Sequence, residues 1–219
     1  MASSFAPPET APRRPQARRK VVVIGAGVGG LACAIDLAAA GLDVTILERA
    51  ATPGGKMREV AVAGAGIDAG PTVFTMRWVF QELFDRAGRS FDSTVKVRTA
   101  EVLARHAWNA DERLDLFADV DRSADAIGVF SGAAEAQRFR QFCAATRDIF
   151  ATLEHTFMRA SRPGPVSLAW RAGPRGLGCL WRIRPFTTMW NALGDHFQDA
   201  RLRQLFGRYA TYCGASPFQ

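Results

Sequence analysis

The sequence predicts an α/β fold that opens on a dinucleotide-binding βαβ unit, passes through a short strand region and ends in a mainly helical segment. Three observations carry this expectation. An all-apolar run, residues 21–24, breaks into glycines at G-x-G-x-x-G spacing (Gly25, Gly27, Gly30). A helix-spaced stretch and a second apolar run follow at once. Beyond residue 132 the apolar positions recur at threes and fours.

The apolar run suits a central parallel strand covered on both faces. Leu31, Ala34, Ile35 and Ala38 fall at helical spacing, and Gly41 stops the helix. Residues 44–47 form the second strand. In that context each glycine has a task. Gly25 makes the tight turn, and Gly27 lets the backbone approach a pyrophosphate. Gly30, with Ala34 one turn later, lets the helix pack close to the strand. Gly29 lies at the helix N-terminus, where free N–H groups and the dipole attract phosphate. The second strand runs into Glu48, whose carboxylate can accept from both hydroxyls of an adenosine ribose and would repel a 2′-phosphate, which counts against NADP.

Composition narrows the classes. Nearly half of the 219 residues are hydrophobic, as expected of a globular chain. The net charge is +7, but five basic residues against Glu9 place more than half of it in the first twenty residues, which read as a disordered, Pro-rich tail without a secretory h-region. The basic balance is therefore no argument for nucleic acid. No apolar run reaches the roughly 18 residues that span a bilayer. Cys33, Cys143, Cys179 and Cys213 are far apart and read as buried free thiols in a reducing compartment. His106, His155 and His196 are equally scattered, and no metal site is expected.

Beyond Glu48 come PGGKMR (residues 53–58), with Gly54 and Gly55 beside Lys56, and DAGPT (residues 68–72). The set VVVIGAGVGG, ILER, PGGKMR and DAGPT, in this order, resembles the FAD-dependent amine oxidase and phytoene desaturase superfamily. That resemblance implies a Rossmann-like FAD-binding unit with Gly25, Gly27, Gly29, Gly30, Glu48, Arg49, Gly55 and Lys56 at the cofactor. It also implies that Gly70, Thr72 and Val73 line the isoalloxazine side. Lys56 stands where many relatives carry Arg, so the charge is kept and the bidentate geometry lost. TMRWVF, LDLFAD and RLRQLFGRYATYCGASPF narrow the resemblance to bacterial carotenoid desaturases acting on 1-hydroxy- or 1-methoxy-carotenoids. Phytoene desaturase and amine oxidase remain as alternatives within the superfamily. Members of the branch are about twice this length, so the chain is expected to be the N-terminal portion of an incomplete flavoenzyme fold, inactive alone; the competing expectation is a non-catalytic remnant or subunit that binds FAD weakly.

The expected domains are a tail at 1–19, an FAD-binding part with a strand hairpin at 20–120, and a helical substrate- or membrane-facing region at 121–219. Residues 78–87 read as an amphipathic helix with Val79, Leu83 and Ala87 on one face. Residues 95–97, 102–108 and 114–117 read as strands, the last two forming a hairpin over NADERL. Phe139, Phe142, Ile149, Leu153 and Phe157 form a stripe along one long helix, read as core. Residues 155–194 contain no acid but six arginines interleaved with Trp170, Trp181, Trp190 and Phe186. This composition suits peripheral contact with an anionic membrane surface. The expected location is the cytoplasmic side of a bacterial inner membrane, with a carotenoid as substrate. No catalytic base is legible.

Overall fold

The computed structural model describes residues 18–71, 73–159 and 187–219. The chain divides into two compact units, Met1–Val97 and Arg98–Gln219.

In the first unit, β1 (Lys20–Ile24) and β2 (Asp43–Leu47) pair in parallel, with Val22 opposite Thr45 and Ile24 opposite Leu47. The crossover between them is α1 (Val28–Ala39). Gly25 takes φ +98°, a conformation that side chains disfavour, and donates its N–H to the Leu47 carbonyl at 2.7 Å. The turn is thereby tied to the end of β2. The helix stops where the sequence says: Ala40 and Gly41 donate to the carbonyls of Asp36 and Ala38 at 3.0 and 2.9 Å.

A hairpin follows that the sequence reading does not anticipate. β3 (Glu59–Val62) and β4 (Ala65–Asp68) pair antiparallel across a tight turn at Ala63 and Gly64. Next comes α2 (Arg77–Arg86), fastened to α1 by Arg86, whose Nε donates to Asp36 at 2.8 Å. The packed face of α2 differs from the expected one. Phe80 and Phe84, one turn apart, join Phe74 around the buried Phe91 of α3 (Phe91–Thr94), with ring centroids 4.9–6.4 Å apart. Val79 is exposed instead, because the rings bury more apolar surface than its two methyls. Residues 95–97 join no ladder among the described residues, so the expected strand is absent.

In the second unit, β5 (Val102–Ala107) and β6 (Arg113–Phe117) form the expected antiparallel hairpin. The Asn109 side-chain oxygen accepts from the backbone of Asp111 and Glu112 at 3.0 and 2.7 Å, which shapes the NADERL turn. Asp119 caps α4 (Val120–Ser131) by accepting from the Arg122 N–H at 2.8 Å. The buried Ser123 accepts from the Phe117 N–H at 2.9 Å and donates to the Phe117 carbonyl at 3.0 Å, which locks β6 onto α4. The hairpin thus packs with the helices and belongs to the second unit.

Then come α5 (Ala133–Leu153), which runs on into a π-helical turn at Glu154–Met158, α6 (Met189–His196) and α7 (Ala200–Gly207). The core gathers Leu114, Leu116, Ile127, Phe139, Leu193, Phe197, Leu202, Leu205 and Phe206. Phe197 is fully enclosed, with Phe206 and Phe142 at 5.0 and 5.2 Å between ring centroids. The α5 stripe is therefore core at Phe139 and Phe142. Its far end is not: Phe157 is exposed, because the π turn carries the helix past the packed layer.

Trp108 donates from Nε1 to Gln204 at 2.7 Å, and Arg201 joins Asp199 at 2.6 Å and also pairs with Glu112. These contacts bind the hairpin turn to α7. Cys33 and Cys213 are exposed and Cys143 is half-buried, which corrects the expectation of buried thiols. All three are free; Cys179 lies outside the described residues.

Candidate functional site

The chemistry-bearing residues of the first unit converge on the turn between β1 and α1. The turn is built from glycine upward. A Cβ on Gly30 would sit 3.0 Å from the Gly25 carbonyl carbon, closer still to its oxygen, and 3.7 Å from Val23 Cγ1. Gly30 therefore lets the first helical turn close onto the strand it leaves. The sequence reading assigned this to helix–strand packing; the nearest obstacle is the carbonyl of the turn itself.

The Gly54–Gly55 doublet lies on the same turn. Gly54 donates its N–H to the Ala26 carbonyl at 2.8 Å and bridges Gly27 in parallel. Gly55, at φ +62°, leaves room for only 3.0 Å between a hypothetical Cβ and Gly27 Cα. The doublet thus meets the first glycine loop backbone to backbone. Gly70 comes next in the same chain of contacts, packed against Lys56: a Cβ there would approach the Lys56 carbonyl carbon and Met57 Cα to 3.2 Å. A cleft of about 260 Å³ beside it is lined by Met57, Arg58, Glu59, Asp68, Gly70 and Pro71.

Glu48 points into the turn. One carboxylate oxygen accepts from the Ala50 N–H at 2.8 Å and the other from the Ala26 N–H at 2.6 Å. These two bonds hold its pKa below the usual value of 4.5, so the group is an anion at neutral pH. Each oxygen keeps acceptor capacity beyond these bonds. Ala26, buried between the glycines, is the residue the sequence reading missed: its N–H and carbonyl both serve the site. The only signal was a small residue inside the glycine spacing.

The start of α1 suits an anion. Its cap, Gly27, makes no side-chain hydrogen bond, and no acid lies in the first turn. By contrast α4, α6 and α7 spend Asp119, Thr188 and Asp199 on their caps. A Cβ on Gly29 would meet no atom within 4 Å outside its own stretch of helix, so that position is open. Uncapped donors, an open glycine edge and a neighbouring carboxylate fit a dinucleotide's pyrophosphate and ribose. Arg49 and Lys56 are exposed beside these segments and Val73 is exposed; Thr72 lies outside the described residues.

The second unit carries no comparable convergence among its described residues. His106 lines a shallow cleft with Arg105, Arg113 and Asp115, and burial, then the charge of Arg208, lowers its pKa. No group of three metal-ligating side chains comes together among the described residues, and no described helix is long and apolar enough to cross a membrane. Most of the arginine- and tryptophan-rich stretch between Arg159 and Trp190 lies outside the described residues.

Comparison with known proteins agrees with this geometry. Residues 23–87 match the NAD(P)-binding Rossmann-like domain family, so the first unit is a Rossmann-type dinucleotide-binding domain. The chain is 56% identical to a hydroxyneurosporene desaturase of Rubrivivax gelatinosus over 93% of its own length and 39% of the relative's. A hydroxyneurosporene desaturase of Rhodobacter capsulatus is 44% identical over 90% of this chain and 40% of that protein. A lycopene-forming phytoene desaturase of Pseudescherichia vulneris is 31% identical over 91% and 39% respectively. The resemblance carried by the motifs therefore holds along nearly the whole chain. The chain spans about two fifths of the length of the curated relatives it matches.

Proposed function

We propose that this chain forms the cofactor-binding part of an FAD-dependent carotenoid desaturase that dehydrogenates a 1-hydroxy- or 1-methoxy-carotenoid. The observation that carries the reading is the similarity at 56% identity across 93% of the chain, to a relative named for that reaction. The cradle supports it. Bound FAD would supply a two-electron acceptor for such a dehydrogenation, and the residues that would hold it are those of the cradle.

In this reading the chain's own groups bind and orient. The α1 N-terminus, with Gly25, Gly27, Gly29 and Gly30, receives the pyrophosphate. Glu48 holds the adenosine ribose, and its two backbone donors keep it ionised and aimed for that task. Gly55 keeps the second segment pressed to the first loop, with Arg49 and Lys56 adding positive charge beside it. Gly70, Thr72 and Val73 lie along the flavin ring. The residues from Arg159 to Trp190 make a peripheral contact with an anionic membrane surface, on the cytoplasmic side, from which a bilayer-dissolved carotenoid is drawn.

FAD titration tests the reading. Wild-type chain supplemented with the rest of the Rubrivivax relative should quench flavin fluorescence, and Glu48→Ala should weaken binding roughly tenfold to hundredfold, the range for a hydrogen bond to a charged group. An unchanged titration overturns the Glu48 assignment. No flavin uptake by the wild-type pair overturns the cofactor.

A further inference from the structure

We infer that a cleft within the second unit receives the hydroxyl-bearing end of an otherwise apolar chain, and that Gln204 and Thr211 recognise its oxygen. The cleft has a volume of about 510 Å³. Trp190, Pro217 and Phe218 form its apolar wall, and Gln204, Arg208 and Thr211 stand in its polar lining. The wall is held at two points. Trp190 donates its backbone N–H to the Pro217 carbonyl at 2.8 Å, and its ring centroid lies 5.0 Å from that of Phe218. Gln204, Arg208 and Thr211 follow at intervals of four and three along α7 and the 3₁₀ segment Arg208–Cys213 that continues it, so they share one face.

Each polar group has a definite hydrogen-bonding state. The Trp108 indole can only donate, so its 2.7 Å bond fixes Oε1 of the Gln204 amide and leaves the NH₂, with two donors, for the cleft. Thr211 gives its hydroxyl proton to the Arg208 carbonyl at 2.7 Å, so its oxygen remains as an acceptor. Arg201, which also lines the cleft, is already paired with Asp199 and Glu112. The Arg208 guanidinium lies over the Tyr209 ring, 5.4 Å from its centroid. A hydroxyl can accept from the amide and donate to Thr211. An ether oxygen can only accept. A hydrocarbon end does neither and leaves the amide donors facing carbon. A carboxylate or phosphate would engage Arg208 but has no proton for Thr211. The inference deepens the desaturase reading and rests on it: the hydroxyl is the terminal group of the 1-hydroxy-carotenoid, and a methoxy end is the weaker fit.

The test is binding of detergent-solubilised carotenoid to the 219-residue chain. The readout is the circular dichroism induced in the visible band of the polyene. 1-Hydroxyneurosporene should bind about tenfold more tightly than neurosporene, with 1-methoxyneurosporene between them. Thr211→Val should lower the hydroxy compound to the level of the methoxy compound and leave the latter unchanged. Gln204→Glu keeps the acceptor for Trp108 but removes the donors, so the methoxy compound should fall to the level of neurosporene or below. Equal binding of 1-hydroxyneurosporene and neurosporene by wild type overturns the inference, as does no induced signal with any of the three. An oxygen preference that survives both substitutions overturns it too, because the oxygen is then held elsewhere. Oleate that displaces the carotenoid from wild type but not from Arg208→Gln assigns the cleft to an anionic lipid and likewise overturns it. FAD titration is read separately. Flavin uptake with no oxygen preference overturns the cleft and leaves the desaturase reading standing; an oxygen preference without flavin uptake refutes the cofactor and leaves the cleft standing.

Discussion

Gly29 and Gly30 are neighbours in the glycine loop, and alanine at each should have opposite effects on the fold. At Gly30 the new Cβ falls 3.0 Å from the Gly25 carbonyl carbon and nearer still to its oxygen. That carbonyl cannot yield, because the N–H of the same residue is tied to Leu47 and the next residue, Ala26, is bound to both Glu48 and Gly54. Overpacking against fixed backbone costs up to about 3 kcal/mol, and the better helix propensity of alanine returns about 1 kcal/mol. The net loss for Gly30→Ala is about 2 kcal/mol. At Gly29 nothing lies within 4 Å, so Gly29→Ala should stabilise α1 by up to about 1 kcal/mol. The assay is hydrogen exchange of peptides from residues 20–47, which reports the first unit independently of the second. A loss of about 2 kcal/mol accelerates exchange roughly thirtyfold where opening is at equilibrium. Gly29→Ala should slow it while weakening FAD binding, since its open edge is where the pyrophosphate is assigned. Exchange in Gly30→Ala within about twofold of wild type refutes the packing argument.

Three further outcomes are expected. The folded-state pKa of Glu48 lies below its unfolded value of 4.5, so its stabilising contribution is complete above that pH and is lost as pH falls through the lower, folded value; Glu48→Gln should flatten the acid limb of exchange protection at the turn. Phe197→Ala removes a fully enclosed ring between Phe142 and Phe206 and should cost the second unit about 3–5 kcal/mol in urea denaturation. Flotation of the chain with anionic liposomes should weaken as salt rises, because surface attraction decays within about 8–10 Å at physiological ionic strength; equal binding to neutral liposomes contradicts the electrostatic role of the arginines.

The βαβ unit was legible because each of its signals is local: an apolar run, glycine spacing, a helical period and a terminal glycine all lie between residues 20 and 47. The β5–β6 hairpin was legible for the same reason, through NADERL and the alternation on either side. The β3–β4 hairpin was not, because its strands are only four residues each, too short for a periodic signal, and they meet across the tight turn at Ala63 and Gly64. α4 was hidden by its own cap: Asp119 closes LDLFAD, and only the bond to the Arg122 N–H shows that a helix starts there. Residues 95–97 alternate like a strand, but alternation cannot supply a neighbour to pair with. At the site, the glycine loop and Glu48 were legible as types. The seat of Gly54 and Gly55 on Gly27 joins segments nearly thirty residues apart, and no local pattern announces it.

The bonds from the β5–β6 turn to α7 set an order of assembly. Trp108 and Gln204 are 96 residues apart, and Glu112 and Arg201 are 89 apart. At a synthesis rate of roughly 5–20 residues per second, the hairpin leaves the ribosome about 5–20 s before its partners exist. The βαβ unit needs only the residues up to Leu47 and closes early. During the interval Leu114 and Leu116, buried in the finished core, stand in water on one face of the nascent hairpin. The second unit therefore waits on translation and depends on whatever shields an apolar strand in the meantime, whereas the nucleotide loop forms without that wait.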